Sequence, residues 1–440
     1  MILSGWGRYP RIDAKLSAPR SEEDLRALVL KGNAIARGNG RAYGDSAVSA
    51  QNTLHMKYFN RMLKFDAEHG QLVAQAGVLL ADIIDAFLPC GWFPYVTPGT
   101  KFVTLGGMIA ADVHGKNHHK DGSFAKYVEW IDLLTSDGSI QRCSATENTD
   151  LFEWTLGGMG LTGIVLRAAI RLRPVHSAWI QQRTLVADNI SHAIELFEQS
   201  HDVTYSVAWI DCLQQGKSMG RSLVMLGEHA DALLVPSKYR ETPLQIPPKR
   251  KLRIPVEFPS WSLNSLSVRA FNALYYRNGQ RKRDQQLVDW DSYFYPLDAI
   301  LGWNKIYGQR GFAQFQCVLP LQTADDGLRA LLSAIASTRV GSFLAVLKRF
   351  GAQDSNFSFP MEGYSLALDF PVNKRSLELM KRLDSITLEY GGRFYLAKDS
   401  RMSRDVFQHS EPRAKDYSSY RNTQAISAVF GSAQSERLGL

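Results

Sequence analysis

Cysteine is scarce in this 440-residue chain: four residues, at 90, 143, 212 and 317. They are widely spaced and no CxxC occurs, which argues against a zinc ribbon, a cysteine-ligated iron–sulfur site and a thioredoxin-like motif. They read as buried, reduced thiols. No apolar run reaches the roughly 18–20 residues that span a bilayer. The opening MILSGWGR lacks a basic segment followed by an apolar one, so no secretory signal is read and a cytoplasmic protein is expected. Internal repeats, low-complexity tracts and a long β-α-β-α series are also missing.

What is present fits a folded protein of two domains, with 45% hydrophobic and 21% charged residues. The net charge of +8 is concentrated in one place. Between Lys238 and Arg283 lie eleven Lys/Arg and two Glu, a local +9, which leaves about −1 for the rest. Tyr239, Trp261, Phe271, Tyr275 and Tyr276 are interleaved with these charges. Such a stretch suits lipid phosphates or an anionic bilayer surface. Nucleic acid is not expected, because no recognised nucleic-acid module accompanies the charge.

The pattern predicts a helix over 22–31 with Ser21 as N-cap, a strand at 34–37 and a strand at 71–76. A helix over 78–89 and strands at 128–135, 139–143 and 161–172 follow. From about Ala178 the texture changes. Residues 206–211, 313–319, 342–347 and 365–370 read as strands of one antiparallel sheet, with helices at 328–336 and 374–390. Residues 235–290, Pro-rich and weakly periodic, read as a long loop that is functional or mobile. The fold class is α+β.

Three segments are rich in small residues. In Ala36–Asp45 (ARGNGRAYGD), Gly38, Gly40 and Gly44 can present successive N–H groups to an anion, beside Arg37 and Arg41. The spacing GxGxxxG and the lack of a following helix argue against a Rossmann turn. In Pro98–His119, Thr100 and Thr104 can donate hydroxyls to phosphate, Gly106 and Gly107 allow close backbone approach, and Ala110 and Ala111 leave room beside a flat ring. The third segment is Gly157–Gly163. Glycine weakens strands and helices unless something needs the space, and a long dinucleotide laid across the domain would need it. His114, His118 and His119 include an HxxxH spacing, but Gly115 interrupts a regular helix there and no Cys lies nearby, so no metal is expected.

These segments resemble the FAD-binding domain of the vanillyl-alcohol oxidase superfamily, the PCMH-type fold. Within it, the chain is most similar to members acting on polyprenyl-phosphoryl ribose. The resemblance covers nearly the whole chain. It is carried by Gly5–Arg8, Arg37–Asp45, Pro98–Gly99, Asp112–His119, Ser136–Gly138, Gly157–Gly163, Pro296–Asp298, Trp303–Asn304, Asp369–Pro371 and Ala397–Arg401. It implies a two-part PCMH-type FAD-binding domain, residues 1–175 completed by 394–440. A substrate domain of antiparallel sheet with helices on one face would occupy 176–393.

Carried over, the flavin contacts are Arg37, Gly38, Asn39, Gly40, Arg41, Tyr43, Gly99, Thr100, Thr104, Gly106, Gly107, Ala110, Val113, His114, Gly115, Gly160, Ile164 and Tyr395. Lys398 and His114 are the candidates for binding or deprotonating a substrate hydroxyl, with Lys116, Gln316, Lys348 and Lys398 binding substrate. Many superfamily members tether FAD through a loop histidine. The matching position here is Arg41, so non-covalent FAD is expected. Where actinobacterial members carry a cysteine, this chain has Ala367, and residues 427–440 match only loosely.

The implied reaction is oxidation of the 2′-hydroxyl of a polyprenyl-phosphoryl-β-D-ribose to the keto sugar. That is the first half of an epimerisation to the arabinose donor of cell-envelope glycans. A short-chain reductase partner and a peripheral position on the inner membrane face are implied with it. Two alternatives stand beside it: an FAD oxidase of free sugars, alditols or aldonolactones, and a flavin-binding subunit that depends on a reductase.

Overall fold

The computed structural model describes residues 1–249, 251–259, 265–281, 285–338, 340–342 and 344–440. The chain is α+β, as the pattern predicts, and its two largest sheets are antiparallel. Ser21 caps the helix Glu22–Val29: its Oγ accepts from the Asp24 N–H at 3.0 Å, and three acids fill the first turn. Leu25 and Val29, one turn apart, bury against Ala34, Leu54 and Phe430. Beneath them lies a three-stranded sheet of Leu16–Ser17, Asn52–His55 and Ala34–Arg37, all parallel. The sequence predicts only the last of these strands, because Asn52–His55 is short and shows no polar–apolar alternation.

A second sheet runs Ile140–Ser144, Val128–Leu134, Ile164–Pro174, Gln71–Gln75, Met62–Asp66, with Trp92–Pro94 pairing the end of Ile164–Pro174. The helix Leu80–Phe87 and the six-residue helix Leu105–Ala110 join its core through Ile83, Ile84, Met108 and Ile109.

The third sheet has eight strands, all antiparallel. Their order is Gln286–Asp289, Trp179–Ala187, Ser222–His229, Tyr205–Ile210, Ala345–Phe350, Gly363–Pro371, Phe312–Pro320 and Arg393–Phe394. Side chains alternate across a strand. Leu347, Leu366, Leu368, Phe315 and Cys317 therefore pack under the helices Ile190–Gln199, Ala324–Thr338 and Lys374–Glu389, through Phe197, Leu331 and Leu383. Their neighbours in sequence point the other way, and that face is where chemistry is possible.

The stretch expected to be one long loop contains a 17-residue helix, Ser265–Arg281. Its periodicity was masked by arginines and tyrosines, but Val268, Asn272 and Tyr276, each four residues apart, are its buried stripe. Asn272 donates to Asp211 at 2.7 Å. Trp261, one of the interleaved aromatics, lies outside the described residues. The C-terminal segment folds back on the first sheets. Phe430 bridges Ala34, and the buried Arg421 donates to the Leu161 and Phe430 carbonyls.

Candidate active site

A cavity of about 290 Å³ lies between the first two sheets and the open face of the third. The third sheet supplies one wall by strict alternation. Gln314 and Gln316, Val346 and Lys348, and Ser365 and Ala367 all line it. Register holds them together: Lys348 pairs with Ser365, and Val346 and Gln316 both pair with Ala367. The opposite wall is the glycine loops, Gly38–Tyr43, Pro98–Thr100, Thr104–Ala111 in part, Met159 and Gly160. Tyr395, Ala397 and Lys398 close one end.

The loops approach each other closely. A Cβ at Gly38 would stand 2.1 Å from Thr104 Oγ1, and Gly40 has φ +63°, so neither position admits an ordinary side chain cheaply. Among the described residues, the N–H groups of Asn39, Gly40, Arg41 and Ala42 have no internal backbone partner. The Arg41 guanidinium stacks on Trp6 at 4.1 Å, and its buried Nε is unpartnered. A Cβ at Gly99 would meet nothing within 4 Å. Free loop N–H groups, an arginine and a small-residue trough fit the phosphates and flat ring of a flavin dinucleotide.

At the other end the polar groups converge. Gln316 Nε2 faces His114 Nε2 at 2.9 Å and Ser365 Oγ at 3.1 Å. That hydrogen bond places the imidazole proton on Nδ1, which is buried without a partner. Burial, then Lys348, His118 and Lys398, hold His114 well below its ordinary pKa, so it is neutral. Burial pushes the Lys348 ammonium down to about 8. Lys398 sits 3.8 Å over the Tyr43 ring. Burial pulls its pKa down, Asp369 opposes this, and Lys348 adds to it. Asp369 is itself raised by burial, with Gln314 donating to it at 2.5 Å. The end of the cavity thus holds cations at reduced pKa and a neutral imidazole.

A profile of the FAD binding domain family matches residues 14–144. Decaprenylphosphoryl-beta-D-ribose oxidase of Mycolicibacterium smegmatis is 34% identical over 449 residues, covering 100% of this chain and 97% of that protein. The chain belongs to the decaprenylphosphoryl-β-D-ribose oxidase family. Its members bind FAD and are oxidoreductases. An uncharacterized Streptomyces coelicolor protein is 31% identical over 82% of this chain and 100% of its own length. The likeness to Bos taurus L-gulonolactone oxidase, 31% identical, reaches only 36% of either chain.

Of the site residues expected in this family member, most line the cavity. Gly38, Asn39, Gly40, Arg41, Tyr43, Gly99, Thr100, Thr104, Gly106, Gly107, Ala110, Val113, His114, Gly160, Gln316, Lys348, Tyr395 and Lys398 are brought together there. Four residues lie elsewhere. Arg37 turns its guanidinium to the Ser4 and Ala47 carbonyls. Ile164 points into the core beside Leu25, since alternation turns it away from its cavity-lining neighbours Gly163 and Val165. Gly115 packs against Thr97 and Asn117. Lys116 donates to the Tyr293 carbonyl and sits 4.2 Å over that ring. The Thr100 hydroxyl is spent on Asp298, at 2.8 Å, and Thr104 caps the helix by accepting from Gly107.

Sequence reasoning assigned no role to Trp6, Asp298, Trp303 or Gln314, all of which line the cavity. A signal existed for Gln314, which stands two residues before Gln316 on an alternating strand. Trp6, Asp298 and Trp303 had only their place in strings shared with relatives. His118 and His119 bond Gln353 and the Val203 carbonyl, both at 2.8 Å. No described helix is long and apolar enough to cross a membrane.

Proposed function

We propose that this protein oxidises the 2′-hydroxyl of a polyprenyl-phosphoryl-β-D-ribose to the 2-keto sugar, as the first half of an epimerisation. The observation that carries the reading is the convergence of Lys348, Lys398, His114 and Gln316 at one end of a cavity whose other wall fits a flavin dinucleotide. Residues 1–175 and 394–440 form the flavin-binding part and 176–393 the substrate-binding part.

Bound flavin supplies a hydride acceptor. The chain's own residues handle the alcohol and its proton. Lys398, depressed by burial, is poised to take the hydroxyl proton as a neutral amine. Neutral His114, oriented by Gln316, donates from Nδ1 and holds the sugar oxygen. Lys348 is placed to meet the phosphodiester as a cation. Asp369 steadies the Lys398 charge once the proton has arrived.

FAD is held without a covalent bond. The loop position where other superfamily members carry a tethering histidine is Arg41, stacked on Trp6, and a guanidinium does not form that link. Denaturation and gel filtration should therefore release all yellow colour; colour that stays with the chain overturns this part.

The substrate tail favours a bilayer surface. The segment around Ser265–Arg281 leaves Leu233, Leu252, Val256 and Leu274 more than half exposed beside Lys238, Arg240, Arg253, Arg269 and Arg277. This suits peripheral contact with anionic lipid. A separate short-chain reductase is the partner that would reduce the keto sugar. The test is anaerobic flavin reduction with polyprenyl-phosphoryl ribose against free ribitol and arabinitol. Bleaching by the lipid-linked sugar alone supports the reading, and equal bleaching by the free alditols removes it.

A further inference from the structure

The C-terminal helix Ala433–Leu438 is far from the cavity in sequence, yet it meets the two segments that carry Tyr43 and Lys398. Arg437 donates from Nη2 to Asp45 Oδ1 at 2.7 Å and to Asp399 Oδ2 at 2.8 Å. Its Nε reaches Asp45 Oδ2 at 3.1 Å and its Nη1 the Met402 carbonyl at 2.6 Å. Both carboxylates are buried. The helix adds two more ties: Gln434 Nε2 donates to the Leu396 carbonyl at 2.8 Å, and the Ala433 N–H to the Val48 carbonyl at 2.8 Å.

Asp45 ends the first glycine loop, and Asp399 follows Lys398 directly. The two segments are already in contact. The Tyr43 N–H donates to the Ala397 carbonyl at 2.9 Å, and a Cβ at Gly44 would stand 2.1 Å from the Asp399 carbonyl oxygen. Two buried carboxylates at this seam repel each other, and each one alone is costly to bury. Asp399 is also held by the Arg401 and Met402 N–H groups, at 3.0 and 2.8 Å, but the Arg437 guanidinium is shared between both carboxylates and so ties the two sides of the seam together. Closure in turn sets Lys398 over the Tyr43 ring, at 3.8 Å.

We propose that Arg437 is a positioning residue. By bridging Asp45 and Asp399 it fixes the glycine loop against the Lys398 segment, and so sets the reach of Lys398 into the cavity. Arg437 does not line the cavity, so it acts through the two carboxylates and the Met402 carbonyl that it holds. This inference rests on the proposed role of Lys398, and the experiment separates the two.

The test uses Arg437→Gln and Arg437→Lys in the full-length protein, loaded with FAD. The rate constant for flavin reduction by substrate is measured per bound flavin, together with flavin content and melting temperature. Arg437→Gln should lower the per-flavin rate constant at least about tenfold, equivalent to roughly 1.4 kcal/mol in the barrier. Arg437→Lys, which keeps the charge but loses the fork that spans both carboxylates, should recover part of that loss. Arg404→Ala is the control. It removes an arginine that bonds the Glu436 carbonyl on the same helix, at 3.4 Å, and should leave the per-flavin rate unchanged.

A lower melting temperature with an unchanged per-flavin rate would make Arg437 merely structural and overturn the proposal. If Arg437→Gln does not fold, Arg437→Lys decides: parental per-flavin turnover overturns it, and reduced turnover at full flavin content supports it. Should Lys398→Ala prove fully active, the role of Lys398 fails first, and that result is distinguishable from an inert Arg437→Gln.

Discussion

Lys348→Met is the sharpest perturbation of the cavity's charge. Lys348 lines the cavity from the middle of Ala345–Phe350, and burial alone lowers its pKa from 10.5 to about 8. In the proposed role, a bound phosphodiester would gain a charge-assisted hydrogen bond from it. Such a bond contributes about 1.5–3 kcal/mol, so its loss should lower kcat/KM about 10- to 150-fold. Methionine retains most of the apolar stem and leaves the alternating wall intact.

The pH dependence carries the sign. Lys348 is cationic below about pH 8 and neutral above it. The kcat/KM for the lipid-linked substrate should therefore fall as pH rises through about 8, since this ratio reports groups of the free enzyme. Lys398 would work in the opposite direction, because as the proposed base it must lose its proton to act, so the expected parent profile is a bell. In Lys348→Met the falling limb disappears. The rising limb moves to higher pH, because Lys348 is one of the charges holding Lys398 down. Stopped-flow flavin reduction from pH 5.5 to 9.5, with a free alditol in parallel, measures both limbs. A variant within about twofold of the parent, or an equal loss with the alditol, refutes the phosphate role.

Lys398→Ala should bind FAD with the parental visible spectrum and lose turnover about 10²- to 10⁴-fold, the range of a general base; a flavin-loaded, active variant removes Lys398 from the chemistry. Gly38→Ala drives a Cβ to 2.1 Å from Thr104 Oγ1, so purified protein should carry much less flavin. Adding Thr104→Ala should recover part of it, and full flavin content in the single variant would show that the loops have slack. For the surface, Arg269→Gln with Arg277→Gln should weaken sedimentation with anionic vesicles about thirtyfold at low salt, at about 1 kcal/mol per basic residue. Failure of the parent protein to bind such vesicles sinks the membrane contact.

Part of each sheet was legible because alternation is a strong signal, although the long strands Trp179–Ala187 and Ser222–His229 were not read. Residues 365–370 and 313–319 show it directly, and the structure extends them to Gly363–Pro371 and Phe312–Pro320. The same alternation tells which residues face the cavity once the helices are known to cover the other face. Strand Asn52–His55 was not legible, because its pairing is parallel and its burial nearly complete, so no polar–apolar period marks it. The helix Ser265–Arg281 was hidden for the converse reason: only a narrow stripe is buried, and arginines, Tyr275 and exposed leucines occupy much of the rest.

The site shows where sequence reasoning stops. His114 and Lys116 are two residues apart in a segment without helix or strand, so no period says which side chain reaches the cavity. Folding decides it through a distant partner. Tyr293, 177 residues away, offers a carbonyl and a ring to the Lys116 ammonium, and the chain between turns His114 to Gln316. Lys116 is still electrostatically part of the site. Burial, with Lys348 adding, brings it down to about 7, so at neutral pH it carries only part of a charge. Were it fully cationic, the strip from Lys116 through Lys348 to Lys398 would hold three like charges with Asp369 as the near acid. Lowering the pKa by desolvation is what lets the cavity's Lys348 and Lys398, with Lys116 outside it, stand near one another without accumulating three full positive charges.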